Sequence, residues 1–439
     1  MKTRKDFDFS RKGCYGGMEK FIIEGGRALR GELRVQGSKN SALPILAATA
    51  VTGKSSILFN CPRLRDTDAA MRILRHIGCT VERTGASVIV DAGAPNRYTI
   101  PERLMREMRS SIIFLGALLA RFGKAELCAP GGCAIGLRPI DLHLSALEMM
   151  GVHTTEDSGR LLCSAPDGLH GAQITLSFPS VGATENILLC AVCAKGTTVI
   201  HNAAREPEIA DLASFMNRAG AHIEGAGSDT IVVTPNEQFF SAEYTIMPDR
   251  IMAATYLAAV AVTGGEILLR AVSPDDLLPV LPCFEQAGCA IGRESDTLYL
   301  NAPPRLRSAK LIRTMPYPGF PTDFQASAMV MASVANGTGV FVETIFESRF
   351  KHVPELVRMG AHITVQNNVA VVQGVPRLHG AGVLAADLRG GAALVSAGLA
   401  ADGVTTVTGL AHIDRGCERF ESNLASLGAG IQRVHSDVE

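Results

Sequence analysis

A chain of 439 residues exceeds what one hydrophobic core usually organises, so two or three domains are expected. Its 47% hydrophobic content and positive mean hydropathy exclude a disordered chain. With 42 basic against 43 acidic residues, no Trp and 5% aromatic residues, it offers neither a nucleic-acid or membrane-binding charge nor a platform for stacking bases. Eleven cysteines without regular spacing fit a reducing cytoplasm and no disulfide framework.

Residues 1–17 carry Lys2, Arg4, Lys5, Arg11 and Lys12 with no apolar segment behind them, which reads as a disordered extension and not as a signal peptide. From about Met18 the chain repeats one unit. Helix-like segments end in glycine at Gly78, Gly151, Gly220, Gly288, Gly360 and Gly428, spaced by 73, 69, 68, 72 and 68 residues. A second series, Gly53, Gly123, Gly196, Gly264, Gly337 and Gly403, is spaced by 70, 73, 68, 73 and 66. Two series with a common period mark internal repetition.

The third unit reads as a strand at Ile174–Ser177, an apolar helix at Asn186–Ala194 and a strand at Thr197–His201. A polar helix at Glu208–Arg218 and a hairpin at 221–224 and 230–234 complete the order βαβαββ. The apolar helix, mostly Ala and Leu, should be buried on all sides, with the sheets outside. Cys190 and Cys193 fall in that helical run and read as core thiols, since no second pair supports zinc. Pro279 and Pro282 should distort the polar helix of the fourth unit. Ile251–Val262 is apolar but too short to span a bilayer. The sixth unit is incomplete, and Phe21–Val35 matches its missing piece. Residues 39–245 are therefore expected to form one three-unit domain, and 18–38 with 246–439 a second. Two chain crossings would join them, making a hinge and a cleft.

The turns opening the apolar helices hold the informative polar residues: Ser38-Lys39-Asn40, Met108-Arg109, Ser180-Val181, Asp249-Arg250, Thr322-Asp323 and Asp387-Leu388-Arg389. Ser, Thr and Asp there read as N-caps, Thr322 among them. Lys39, Arg109 and Arg389 do not, because the helix dipole disfavours cations at an N-terminus unless an anion binds. Asp323, stiffened by Pro318 and Pro321, is a candidate general base among cations. A second polar cluster precedes the polar helices at Arg138–His143, Phe346–Arg349 and His412–Arg415, where His143 reads as an ordinary core or surface histidine. The second unit carries extra length: Gly123 to Asp141 spans 18 residues, where Gly53 to Asp66 spans 13. That insertion is a glycine-rich loop bearing Cys133 and Arg138, and it reads as a lid with a reactive thiol.

These motifs resemble those of the enolpyruvyl transferases, and within them the members that act on a nucleotide sugar. The matching stretches are Gly37–Pro44, Met108–Ser111, Pro130–Gly136, Ser180–Thr184, Ala204–Glu208, Pro321–Asp323, Asp387–Arg389 and Ile413–Gly416, covering the chain beyond residue 17. The resemblance implies a two-domain, inside-out α/β barrel of six βαβαββ repeats, three per domain. It implies transfer of the enolpyruvyl group of phosphoenolpyruvate to the 3′-hydroxyl of UDP-N-acetylglucosamine, with release of phosphate. That is the first committed step of peptidoglycan synthesis, and it needs no cofactor or metal.

By the same resemblance Cys133 donates a proton to the phosphoenolpyruvate methylene and is the target of fosfomycin, while Asp323 is the base for the sugar hydroxyl. Lys39, Asn40, Arg138, Arg389 and Arg415 are the phosphoenolpyruvate ligands, Lys39 and Arg415 also serving catalysis. Asn40, Arg109, Arg138, Pro139, Ile140, Asp141, Leu142, Ser180, Val181, Asp323 and Ile345 are the nucleotide-sugar contacts. The departures are Gly390 where Ala or Ser is expected, Cys417 where Tyr is expected, and Phe178-Pro179 before Ser180. Two alternatives are a 3-phosphoshikimate 1-carboxyvinyltransferase, which the Cys133 loop argues against, and a non-catalytic nucleotide-sugar-binding regulator. Intact Cys133, Asp323 and Arg415 argue against the second. Because residues 1–17 match no unit, their deletion should leave turnover within a few-fold of the full chain, measured side by side.

Overall fold

The computed structural model describes residues 18–128, 140–235 and 238–436. The 1–17 extension, Cys133, Arg138 and Pro139 lie outside the described residues. In the third unit, strand Gln173–Thr175 runs parallel to Thr198–His201, which lies antiparallel to Thr230–Thr234, itself paired with His222–Glu224. Helices Val181–Ala191 and Pro207–Arg218 fall between them, giving the expected βαβαββ order. The apolar helix begins at Val181 and not at Asn186, because the Ser180 hydroxyl accepts from the Ala183 N–H and caps it there. Among the described residues there are six four-stranded sheets and one two-stranded ribbon, Leu378–His379 with Ala401–Asp402.

Three units are completed by strands from elsewhere in the chain. Met18–Glu24 inserts between Val404–Thr408 and Gly430–Ser436, antiparallel to both, and so closes the sixth unit. Arg30–Arg34, expected in that same unit, instead runs parallel to Glu266–Arg270 as the edge strand of the fourth. Ala242–Thr245 takes the same place in the first unit, parallel to Ser55–Phe59.

Burial follows the composition of the helices. Lys39–Thr52, Phe114–Phe122 and Val181–Ala191 pack on one another inside one apolar cluster that runs from Ala42 to Ile246. Arg250–Val262, Gln325–Ser333 and Leu388–Ala400 do the same in a second cluster, made of residues 21–35 and 252–431. The Arg250–Val262 helix is buried from its first residue to Ala261, as a helix apolar on every face must be. The sheets form the outer layer, Ser87–Asp91 alternating buried Val88 and Val90 with outward Ile89. All twelve periodic glycines have positive φ, from 62° at Gly53 to 111° at Gly337, the left-handed conformation that ends a helix at little cost only in glycine. In the fourth unit the polar segment is cut to the 3-10 turn Asp275–Leu277 and the helix Leu281–Gln286, which carries Pro282 in its first turn. Cys190 is fully buried, its thiol donating to the Gly116 carbonyl at 3.5 Å.

The two crossings between the cores lie side by side. Ser38 N donates to Met247 O at 2.8 Å and Asp249 N to Gln36 O at 2.9 Å, with Gly37 opposite Pro248. A Cβ on Gly37 would stand 1.8 Å from the Asn60 carbonyl oxygen, so only glycine fits. The Asp249 carboxylate caps its own helix, accepting from Ile251 and Met252 N–H, and also accepts from the Lys39 N–H that starts the first inner helix. Beside this junction Arg250 of the second half forks onto Glu208 of the first at 3.0 and 3.1 Å, the two side chains 8% and 3% exposed. No described helix is long and apolar enough to cross a membrane. Glu208→Ala would leave the Arg250 guanidinium buried and unpaired, an outcome that typically costs about 3–5 kcal/mol. Its chemical-denaturation midpoint should fall well below that of Glu208→Gln, which keeps one hydrogen-bond acceptor.

Candidate active site

The charged side chains of the inner helices gather mostly where those helices begin; along their buried lengths the polar residues are mainly hydroxyls such as Thr49, Thr255 and Ser396, with Glu185 and Asn186 the exceptions in the third unit. Asp323 lies in the 3-10 turn Thr322–Phe324 that leads into Gln325–Ser333. Its Oδ1 accepts from Arg349 Nη2 at 2.8 Å and its Oδ2 from Arg389 Nε and Nη2 at 3.1 and 2.9 Å. Both arginine side chains are about 5% exposed or less, whereas Asp323 keeps 26% of its side chain accessible. Burial opposes its charge, but Arg389, Arg349 and Lys39 outweigh burial and hold the carboxyl well below the usual carboxylate range.

Thr322 is not the N-cap expected of it: Pro321 occupies that position, and the Thr322 hydroxyl donates to Glu343 Oε2 at 2.9 Å. Glu343, 2% exposed, also accepts from Thr314 Oγ1 at 2.9 Å, Ile345 N at 2.8 Å and Phe346 N at 3.2 Å. One buried carboxylate thereby fixes the residue before Asp323 and the backbone of Ile345. Arg389 follows the Asp387 cap, whose carboxylate accepts from the Arg389 and Gly390 N–H groups at 3.0 Å.

A second charged group straddles the two halves. Lys39 Nζ lies 3.5 Å from Asp66 Oδ2, and Arg415 reaches the same carboxylate with Nε at 2.9 Å and Nη2 at 3.3 Å. Burial lowers the Lys39 proton affinity, Asp66 raises it, and Arg389 and Arg415 lower it further. Lys39, Arg389, Arg415, Asp66 and Asp323 thus form one cluster drawn from both cores. Asn40 follows Lys39 on the helix and is half-buried.

Elements that carry several of the residues expected at the nucleotide-sugar side meet around Asn186. Its Oδ1 accepts from Gly116 N at 2.6 Å, and its Nδ2 reaches Ile112 O at 3.2 Å and His143 Nδ1 at 2.8 Å. That side chain ties together the 3-10 turn opened by Arg109, the Asp141–Met149 helix that Ile140 precedes, and the Val181–Ala191 helix that Ser180 caps. Asp141 is exposed; Arg109, Ile140, Leu142, Ser180 and Val181 are half-buried. His143 is a core histidine, pushed down to about 4 mainly by burial, with Asp141 and Arg109 acting in opposite directions.

Two of the departures from the family pattern, Gly390 and Cys417, lie in buried surroundings. A Cβ on Gly390 would come within 2.9 Å of Asp387 Oδ2 and 3.0 Å of His352 Cβ, so a larger residue there would have to displace the capping carboxylate or the histidine slightly. Cys417 is 4% exposed, its thiol 3.4 Å from the Met252 sulfur and pushed up to about 12, chiefly by burial. Sequence reasoning missed Asp66, Glu343 and Asn186, and used Arg349 only as part of a cluster. The repeat held a signal for Asp66: it lies in the first turn of its polar helix, as Asp141 does in the next.

Six four-stranded sheets around two nests of buried helices, with buried cations and the partly accessible Asp323 carboxylate at their junction, form an inside-out α/β architecture of two halves. The chain belongs to the enolpyruvyl transferase family: the model for EPSP synthase (3-phosphoshikimate 1-carboxyvinyltransferase) matches residues 23–424. It is 50% identical to UDP-N-acetylglucosamine 1-carboxyvinyltransferase 2 of Caldanaerobacter subterraneus, over 95% of this chain and 100% of that protein. It is 47% identical to the UDP-N-acetylglucosamine 1-carboxyvinyltransferase of Serratia proteamaculans, over 96% and 100%. The crystal structure of the enolpyruvyl transferase NikO from Streptomyces tendae superposes with a TM-score of 0.87 at 26% identity, covering 96% of this chain and all of that one. EPSP synthase from Acinetobacter baumannii shares the fold, with a TM-score of 0.72 at 18% identity.

Arg349→Met removes one of the two guanidiniums on Asp323 while keeping much of the side-chain volume. The carboxyl should then protonate at higher pH, so the acid limb of the pH–rate profile should move up relative to the unsubstituted enzyme.

Proposed function

We propose that this chain transfers the enolpyruvyl group of phosphoenolpyruvate to the 3′-hydroxyl of UDP-N-acetylglucosamine, releasing phosphate, as the first committed step of peptidoglycan synthesis. The observation that carries this reading is the convergence of Lys39, Arg389 and Arg415, from both halves, beside the Asp323 carboxylate. Phosphoenolpyruvate brings a phosphate and a carboxylate, and fixed cations bind both without reorganising. The choice of acceptor is supported by relatives that are 46–50% identical along nearly the whole chain and named for it. The Pro130–Gly136 motif supports it too. The irregular cysteines support a cytoplasmic setting.

In the proposed chemistry Cys133 gives its proton to the methylene carbon, making a methyl group and an oxocarbenium-like centre at the adjoining carbon. The sugar 3′-oxygen bonds to that centre and its proton passes to Asp323. A methyl proton then returns to the Cys133 thiolate, the double bond re-forms, and the carbon–oxygen bond to phosphate breaks, the departing phosphate taking the proton that Asp323 had accepted. Asp323 is a weak base while two guanidiniums hold it. The carboxylate of phosphoenolpyruvate, by competing for Arg389, raises its basicity as the substrate binds. Arg109, Arg138, Pro139, Ile140, Asp141, Leu142, Ser180, Val181 and Ile345 receive the nucleotide sugar, and Asn40 borders both substrates.

Phosphate release from phosphoenolpyruvate, assayed with UDP-N-acetylglucosamine, with 3-phosphoshikimate and without acceptor, tests the reading. Release with the nucleotide sugar alone is expected; release with 3-phosphoshikimate, or with neither, would overturn it. Cys133→Asp, which keeps a proton donor, should turn over yet escape alkylation by fosfomycin, while Cys133→Ser, too weak an acid, should lose turnover. Full activity in Cys133→Ser would remove the thiol from the mechanism.

A further inference from the structure

We propose that Asp66 is a positioning residue for the transfer, holding Lys39 as a cation and Arg415 in line for the phosphoenolpyruvate anion. The inference rests on the reading above. Asp66 is the second residue of the Arg65–Ile77 helix, and its side chain is 1% exposed, deeper than Lys39 at 11% or Arg415 at 29%. It belongs to the first half, as Lys39 does, while Arg415 comes from the second. Its two oxygens take the Arg415 fork, and the same Oδ2 faces Lys39 Nζ. One residue earlier, Arg65 N donates to Asp414 O at 3.1 Å, so the halves clasp at neighbouring backbone and side-chain points.

A carboxylate is required there by charge. Lys39 is buried, and burial is the strongest influence against its ammonium form, with Arg389 and Arg415 adding to it. Asp323 opposes them, but its oxygens are committed to Arg349 and Arg389. Asp249 spends its oxygens on the N–H groups of Ile251, Met252 and Lys39 itself. The nearby Cys417 thiol, pushed up to about 12, carries no charge at neutral pH. Among the described residues Asp66 is the one carboxylate within ion-pair distance of the Lys39 ammonium. Without it, Lys39 would give up its proton at a lower pH and would no longer attract a phosphate. Arg415 would lose the fork that fixes its guanidinium plane. Asp66 need not touch substrate to do either.

The test is the pH profile of kcat/KM for phosphoenolpyruvate with UDP-N-acetylglucosamine as acceptor, for the unsubstituted enzyme, Asp66→Asn and Asp66→Ala. Phosphate release by the unsubstituted enzyme checks the underlying reading separately, before any variant is compared. In Asp66→Asn, nearly equal in shape but neutral, the alkaline limb should move down by about one pH unit or more, with activity recovered towards acid pH. KM for phosphoenolpyruvate should rise more than kcat falls. In Asp66→Ala, added formate should return the limb towards its original position by restoring a carboxylate. Circular dichroism of each variant establishes folding, and if Asp66→Asn fails to fold, formate rescue of Asp66→Ala decides. An unmoved limb in folded Asp66→Asn, a loss equal at every pH, an absence of formate rescue, or failure of both variants to fold would each overturn the proposal in favour of a purely structural clasp.

Discussion

Charge confined to the ends of helices that are buried along their length is the constraint on which the rest of this molecule depends. Helices such as Arg250–Val262 and Leu388–Ala400 are enclosed on every side, so a charged side chain on their flanks would lose its hydration without compensation, and the polar residues there, Thr255 and Ser396, donate to carbonyls of their own helix. Polar chemistry is displaced to the N-terminal turns, where free N–H groups and the dipole favour anions. Asp249, Asp387 and Ser180 use those N–H groups as caps, while Lys39 and Arg389 stand at the same turns with their charge directed elsewhere.

Cations buried so deeply must meet carboxylates, and the pairing is what makes the site a site. Arg349 and Arg389 close on Asp323, Lys39 and Arg415 close on Asp66, and Arg250 closes on Glu208. Two of these pairings, Arg415 with Asp66 and Arg250 with Glu208, join one core to the other. The ion pairs that gather these cations at the junction therefore also hold the two cores together. Buried Glu185, beside Glu208 and Glu206, is pushed well above the usual carboxylate range by burial and by those neighbours, so this crowded flank need not carry three charges.

The repeat supplies the rigidity. Strands lent across the chain, Met18–Glu24 to the sixth unit, Arg30–Arg34 to the fourth and Ala242–Thr245 to the first, leave no unit short of its sheet. The lending forces two crossings to run together at Gly37 and Pro248, which is where Lys39 and Asp249 begin their helices. Chain closure and site assembly thus occur at the same few residues.

Much of this was legible in the sequence, because its signals are local. A glycine that ends a helix needs positive φ whatever surrounds it, so the period of about seventy residues read directly as six units. Ala- and Leu-rich helices declared their burial, and Lys39, Arg109 and Arg389 stood out as cations at turns where a helix dipole repels them. The rest depended on partners distant in the chain. Arg30–Arg34 has no local feature that assigns it to the fourth unit; only its pairing with Glu266–Arg270 does. Thr322 looks like a cap until Glu343, just past the strand Thr338–Val342, accepts from its hydroxyl. Asp66 resembles any acidic residue in a first helical turn, and Asn186 any polar residue in an apolar run. Their roles arise from residues 349 and 70 positions away, Arg415 and Gly116, which only the tertiary fold brings within hydrogen-bond reach. Dihedral preference, hydrophobic period and helix dipole act within a few residues and so were set by the sequence itself, whereas the pairing of buried charges is decided by which surfaces the fold presses together.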